Sequence, residues 1–192
     1  MARIAEIRGP QDPRIAIWQG LQPEMAGAFV ALSEAVYQHT KLEFRVAEAA
    51  RIRIAHINGC LLCQNFRVAA DLSDLMARVG VAEEANVSAT RGPVPDEVFY
   101  SAVENWRESA LFSERERLAI EYAERIAESP RELPGDDEFW SRLSAAFGDA
   151  EIADLTYSIT TWIATGRFVH VLGIDGSCAL PVAVQEPASA TV

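Results

Sequence analysis

Residues 48–67 read EAARIRIAHINGCLLCQNFR, and the reading of this stretch governs the rest of the chain. Extended back to Leu42, its first half has apolar residues on most faces, interrupted by Glu43, Arg45, Glu48, Arg51, Arg53 and His56. That density predicts a largely buried helix over Leu42–Ile57. Asn58-Gly59 follows, and glycine in the left-handed region is a common way to end a helix, so the chain breaks just before Cys60. Helical spacing resumes through Cys63, Phe66, Val68, Ala70, Leu72 and Leu75, with Gly80 as a stop. A second helix over about 60–79 would carry a Cys-x-x-Cys pair on its first turn.

Two thiols so placed can close a disulfide, and peptide dipoles at a helix start favour thiolate. Cys60, Cys63 and Arg67, at steps of three and four, would project from one face, with the Arg67 cation adding to the stabilisation of a Cys63 thiolate. Thiolate is the form that attacks peroxides and disulfides. Two other readings of the pair compete: inert buried hydrophobes beside Leu61 and Leu62, or a zinc site. The zinc reading lacks a second Cys-x-x-Cys, and His39, His56 and His170 have no metal-finger spacing. Glu48 shares its stripe with Phe44, Ile52 and Ala55. It is either an ion-pair partner of Arg45 or Arg51, or a general base that takes a thiol proton directly or through water.

The chain has 192 residues, 49% of them hydrophobic and 23% charged, which suits one globular domain that needs no covalent staples. A formal net charge of -11 repels phosphate backbones and anionic headgroups, so neither nucleic acid nor a membrane surface is an expected partner. The N-terminal stretch lacks the unbroken apolar run of a secretory signal, and no run of about 18 apolar residues suggests a membrane span. Three cysteines without such a signal argue against an extracellular disulfide framework and for a reducing compartment, the cytoplasm.

Outside the central stretch the pattern is helical. Residues 1–21, with Gly9-Pro10 and Asp12-Pro13, read as an irregular lead-in. Met25, Phe29, Leu32, Val36 and Tyr37 predict an amphipathic helix from Pro23 to about His39. A polar connector over 81–94 precedes a helix from Pro95 to about Glu108, with acids in its first turn. Ser113 and Glu116 form a capping box for a helix that Ser129-Pro130 stops. A short helix from Asp136 or Asp137 to Phe147 and a last helix from Asp149 to about Leu172 complete residues 22–174. The tail over 175–192, including Cys178, reads as extended. The fold expected is all-α, with six or seven helices.

Glu48, the Asn-Gly-Cys-x-x-Cys run, ERLAIEYAERI over 116–126 and GRFVHVLGI over 166–174 together resemble the alkylhydroperoxidase D (AhpD) and carboxymuconolactone decarboxylase group. The resemblance implies an AhpD-like helical domain assembling as a trimer or hexamer, with peroxidase activity in members that carry the cysteine pair. It also implies that Cys63 meets the peroxide, Cys60 resolves it as a disulfide and Glu48 heads the proton relay. A dithiol reductant or reducing protein then resets the pair, and no cofactor or metal is called for. The family's peroxidases have histidine where this chain has Leu62 and Arg67. Arginine can stabilise a thiolate but does not shuttle protons, which leaves His56 as a candidate substitute. The alternatives are a non-catalytic oligomeric module with sensing or structural thiols, and a decarboxylase-like lyase. On the last helix, Arg167 and His170 could hold a substrate carboxylate or organise a relay, but they read first as a solvated cation and a helix-end histidine.

Overall fold

A computed structural model describes residues 3–4, 21–78 and 91–175. Most of the expected lead-in, most of the connector and nearly all of the tail, with Cys178, lie outside these residues. Among those described there are eight α-helices, two short 3-10 helices and no strand. The helices are α1 (Pro23–His39), α2 (Phe44–Ile57), α3 (Leu61–Asn65), α4 (Val68–Arg78), α5 (Glu97–Ala102), α6 (Glu114–Glu128), α7 (Asp137–Ala146) and α8 (Asp149–Val171).

The central element is α2, which buries Phe44, Val46, Ala49, Ala50, Ile52 and Ile54 together with Glu48 and Arg51. A helix apolar on most faces has to be enclosed. It packs most extensively on α6 and next on α8. Leu118, Ala119, Tyr122 and Ala123 of α6 and Leu155, Ile159 and Trp162 of α8 share one core with Val46, Ala50 and Ile54. On another face of α2, Ala49 and Ile52 meet Phe99, Tyr100 and Val103, and Trp106 and Phe112 close that cluster. The capping box forms as read: Ser113 Oγ accepts from the Glu116 N–H, and Glu116 accepts from the Ser113 N–H at 2.7 Å.

Two expected helices are shorter than the periodicity suggests. The helix from Pro95 is α-helical only over Glu97–Ala102, continues as a 3-10 turn over Val103–Asn105, and then gives way as Trp106 turns into the core. The helix starting at the cysteine pair breaks at Phe66-Arg67 into α3 and α4. Phe66 is extended, with φ -74° and ψ 128°. Groups from elsewhere take over the backbone bonding there. Arg51 donates to the Cys63 carbonyl at 2.9 Å and to the Phe66 carbonyl at 2.6 Å, while Asp71 accepts from the Arg67 N–H at 2.7 Å. A buried guanidinium offering two donors makes the break cheap, because carbonyls released from a helix must find partners.

The Asn58-Gly59 turn is docked on α8. Asn58 donates to the Trp162 carbonyl at 3.2 Å and accepts from Arg167 Nε at 3.1 Å. Gly166 leaves the room: a Cβ there would lie 2.5 Å from Asn58 Nδ2. Gly166→Ala is therefore expected to destabilise the fold by about 1–3 kcal/mol through overpacking at a buried polar contact. Urea denaturation checks this, and an unchanged midpoint would show that the turn does not depend on this close approach.

Candidate functional site

The two cysteines sit at the start of α3 and their sulfurs are at disulfide distance, with Cα atoms 5.3 Å apart. Cys60 is the N-cap residue, and its sulfur accepts from the Cys63 N–H at 3.2 Å. Cys60 is wholly buried, whereas Cys63 is partly exposed. Reagents in solution therefore have better access to the Cys63 sulfur. Packed on Cys60 are Val169 and Ile174, with Leu62, Leu172 and Ile4 at the margin. The environment is apolar except for the backbone donor and the groups flanking the turn.

Glu48 lies inside, 2% exposed, in a two-pronged ion pair with Arg51, which is 3% exposed. The Nε–Oε1 and Nη2–Oε2 distances are 2.5 and 2.9 Å. Tyr100 adds a hydroxyl donor to Glu48 at 2.7 Å. Of the two partners weighed from sequence, Arg51 holds Glu48, while Arg45 pairs with Glu116. Burial opposes the Arg51 charge, but the Glu48 carboxylate outweighs it and holds the guanidinium above its ordinary pKa. Burial, reinforced by the charge on Glu48 and the hydrogen bond to it, pushes the Tyr100 phenol up as well. Because Arg51 also bonds the Cys63 and Phe66 carbonyls, the network runs from Glu48 to the backbone of the cysteine-bearing helix.

A small cavity, with room for about one water, opens beside Glu48 and is lined also by Tyr37, Thr40, Val68, Arg91 and Trp162. Neither cysteine lines it. Burial raises the Tyr37 pKa, Arg51 opposes that shift and Glu48 adds to it.

The other sequence candidates lie elsewhere. Arg67 follows the break rather than continuing the cysteine helix, so the shared face expected for Cys60, Cys63 and Arg67 does not form in that way. Its guanidinium binds Glu97 through two hydrogen bonds of 2.8 and 2.9 Å, donates to the Gln64 carbonyl and lies 4.1 Å from the centre of the Tyr100 ring. His56, on the last turn of α2, is half-buried, and burial lowers its pKa while Glu104 opposes and Arg53 reinforces the shift. Its backbone carbonyl accepts from the Gly59 N–H at 3.0 Å. The imidazole that reaches the Asn58-Gly59 turn is that of His170, which packs over Gly59 and bonds Asp175 at 2.9 Å. Sequence reasoning weighed a relay role for His170 but preferred a helix-end histidine, and it passed over Asp175. The available signal was the second left-handed glycine, Gly173, which returns the chain toward His170.

No protein-family model matches the chain. Over 82 residues it is 39% identical to the uncharacterised protein YnjA of Escherichia coli strain K12, a match covering 42% of this chain and 44% of the relative. The chain thus spans less than half the length of the curated relative it matches. In three dimensions it is similar to a protein of unknown function from Agrobacterium tumefaciens, provisionally described as the antioxidant defence protein AhpD. The TM-score is 0.58 at 23% identity, over 90% of this chain and 95% of the other. That likeness, with the all-helical architecture, assigns the described residues an AhpD-like helical fold.

Proposed function

We propose that this protein is a thiol-dependent oxidoreductase that reduces a small peroxide or a disulfide through Cys60 and Cys63. The observation that carries the reading is the unequal pair: two sulfurs at disulfide distance, one accessible and one buried against a backbone donor. In the peroxide reaction the Cys63 thiolate attacks a peroxide oxygen, forming an S–O bond as the O–O bond breaks. The leaving alkoxide or hydroxide takes up a proton, so the substrate departs as alcohol or water. Cys60 then attacks the sulfenic sulfur, water leaves, and the disulfide closes. A disulfide substrate would instead form a mixed disulfide with Cys63, which Cys60 resolves.

A dithiol reductant or reducing protein resets the pair. It attacks the exposed Cys63 sulfur and expels Cys60 as thiolate, where the Cys63 N–H receives the charge. Its second thiol then releases Cys63, and the reductant leaves as its own disulfide. Glu48 supports this chemistry through Arg51, which fixes the carbonyl end of α3. Arg67 steadies the α4 end through Glu97, and His56 remains a candidate proton carrier, with burial lowering its pKa. A cytoplasmic setting, where a dithiol donor is at hand, suits the cycle. Among the described residues no helix is long and apolar enough to cross a membrane.

The test is steady-state consumption of hydrogen peroxide, an organic hydroperoxide and a small aromatic disulfide with dithiothreitol as donor. Turnover of any of them above the uncatalysed rate supports the reading; no turnover of all three overturns it.

Self-association into a trimer or hexamer belongs to the same proposal. Met25 and Leu32 of α1 and Phe168 and Val171 of α8 are exposed, and contact between the Phe29 and Phe168 rings at 5.8 Å joins the two helices into one outer face. Such apolar exposure is typical of an interface. Light scattering is expected to give three or six times the chain mass, and a stable monomer at micromolar concentration would count against it.

A further inference from the structure

Two helix ends meet at Cys60. At the end of α2, Gly59 is left-handed at φ +65°, and the Cys60 N–H returns to the Ala55 carbonyl at 3.2 Å. At the end of α8, Gly173 is likewise left-handed at φ +65°, and the Ile174 N–H returns to the Val169 carbonyl at 3.1 Å. The residue after each glycine, Cys60 in one case and Ile174 in the other, packs into the same apolar cluster. The two glycine-terminated turns therefore lie back to back.

This arrangement brackets Cys60 with two groups able to carry charge. Before it in the chain, Gly59 is covered by His170: a Cβ built on Gly59 would stand 3.3 Å from Cε1 and 3.4 Å from Nε2 of the ring. After it, the Leu61 N–H points to Asp175 Oδ2 at 3.4 Å, and the same oxygen bonds His170 Nδ1 at 2.9 Å. Burial opposes the Asp175 charge, but the His170 hydrogen bond and the Leu61 N–H prevail and hold the carboxyl below its ordinary pKa. The anion faces the N–H of Leu61, the residue that follows Cys60, and the His170 ring bonds the same carboxylate oxygen.

We propose that His170 and Asp175 form a positioning pair for Cys60, fixing the redox turn and setting how readily Cys60 leaves as thiolate when a dithiol opens the Cys60–Cys63 disulfide. The inference rests on the redox reading above. It gives the pair no contact with the substrate. It makes opposite predictions for the two charges, because Asp175 disfavours the new thiolate while His170 offsets Asp175.

The experiment measures the rate of disulfide opening by dithiothreitol at one slightly acidic pH, using quenched thiol labelling on the oxidised full chain. Asp175→Asn keeps an acceptor for Leu61 but removes the charge, and should speed opening by about threefold, the effect of roughly one pKa unit in the leaving thiol at a Brønsted sensitivity of about one half. His170→Gln keeps a polar side chain over Gly59 but removes the imidazole that bonds Asp175, and should slow opening by about threefold. The double variant should return close to wild type. Equal rates in all four proteins, or both single variants slowed alike, would overturn the pair while leaving the redox reading intact. Failure of the oxidised wild type to contain the Cys60–Cys63 disulfide would overturn both.

Discussion

Cys63→Ser is expected to reduce dithiol-dependent turnover at least about a hundredfold, to the rate without protein, because serine at neutral pH is a far weaker nucleophile than a thiolate. The fold should be retained, since Cys63 is partly exposed and packs only at the margin of the Cys60 cluster. Cys60→Ser should behave differently. The accessible thiol remains and reacts once, but nothing resolves the product, so the sulfenic acid or mixed disulfide on Cys63 accumulates. Mass spectrometry after one equivalent of oxidant would find that adduct on Cys63 in Cys60→Ser and no adduct in Cys63→Ser. An adduct on Cys60 in Cys63→Ser would reverse the assignment of attacking and resolving sulfurs. Dithiol-dependent turnover unchanged in Cys63→Ser would show that Cys63 is not the attacking thiol.

The second large effect concerns Arg51. Arg51→Met is expected to destabilise the protein by about 3–5 kcal/mol, because it strands the buried Glu48 carboxylate and removes the donors serving the Cys63 and Phe66 carbonyls. Glu48→Gln should cost less, since the amide oxygen can still accept from Arg51 or Tyr100. The two changes together should cost less than their sum, because the double variant no longer holds an unpaired buried charge. Urea denaturation of the four proteins measures the coupling. Additive losses would mean that the ion pair does not act as a unit. A thiol reactivity of Cys63 that falls in Arg51→Met at conditions where the protein stays folded would tie this network to the redox helix.

Local rules account for much of the molecule. The buried α2, the stop at Asn58-Gly59 and the Ser113–Glu116 capping box each depend on a few adjacent residues, so they could be read in sequence and are present in the fold. The break between α3 and α4 could not, because its cause is Arg51, a residue on another helix that supplies the carbonyl partners. Arg67 was misplaced for the same reason: a face argued from steps of three and four fails once the helix is interrupted.

The same division holds at the redox turn. By itself the sequence determined an all-helical chain with its cysteine pair at a helix start, because helical periodicity, glycine stops and caps act over a few residues. Tertiary structure alone decided which charges surround that pair. Arg51, a local partner for Glu48 that the sequence already offered, reached the Cys63 and Phe66 carbonyls, Arg67 turned to Glu97, and His170 arrived from a helix more than a hundred residues further along the chain. Charge pairing operates through space, and its partners are chosen by how the helices pack.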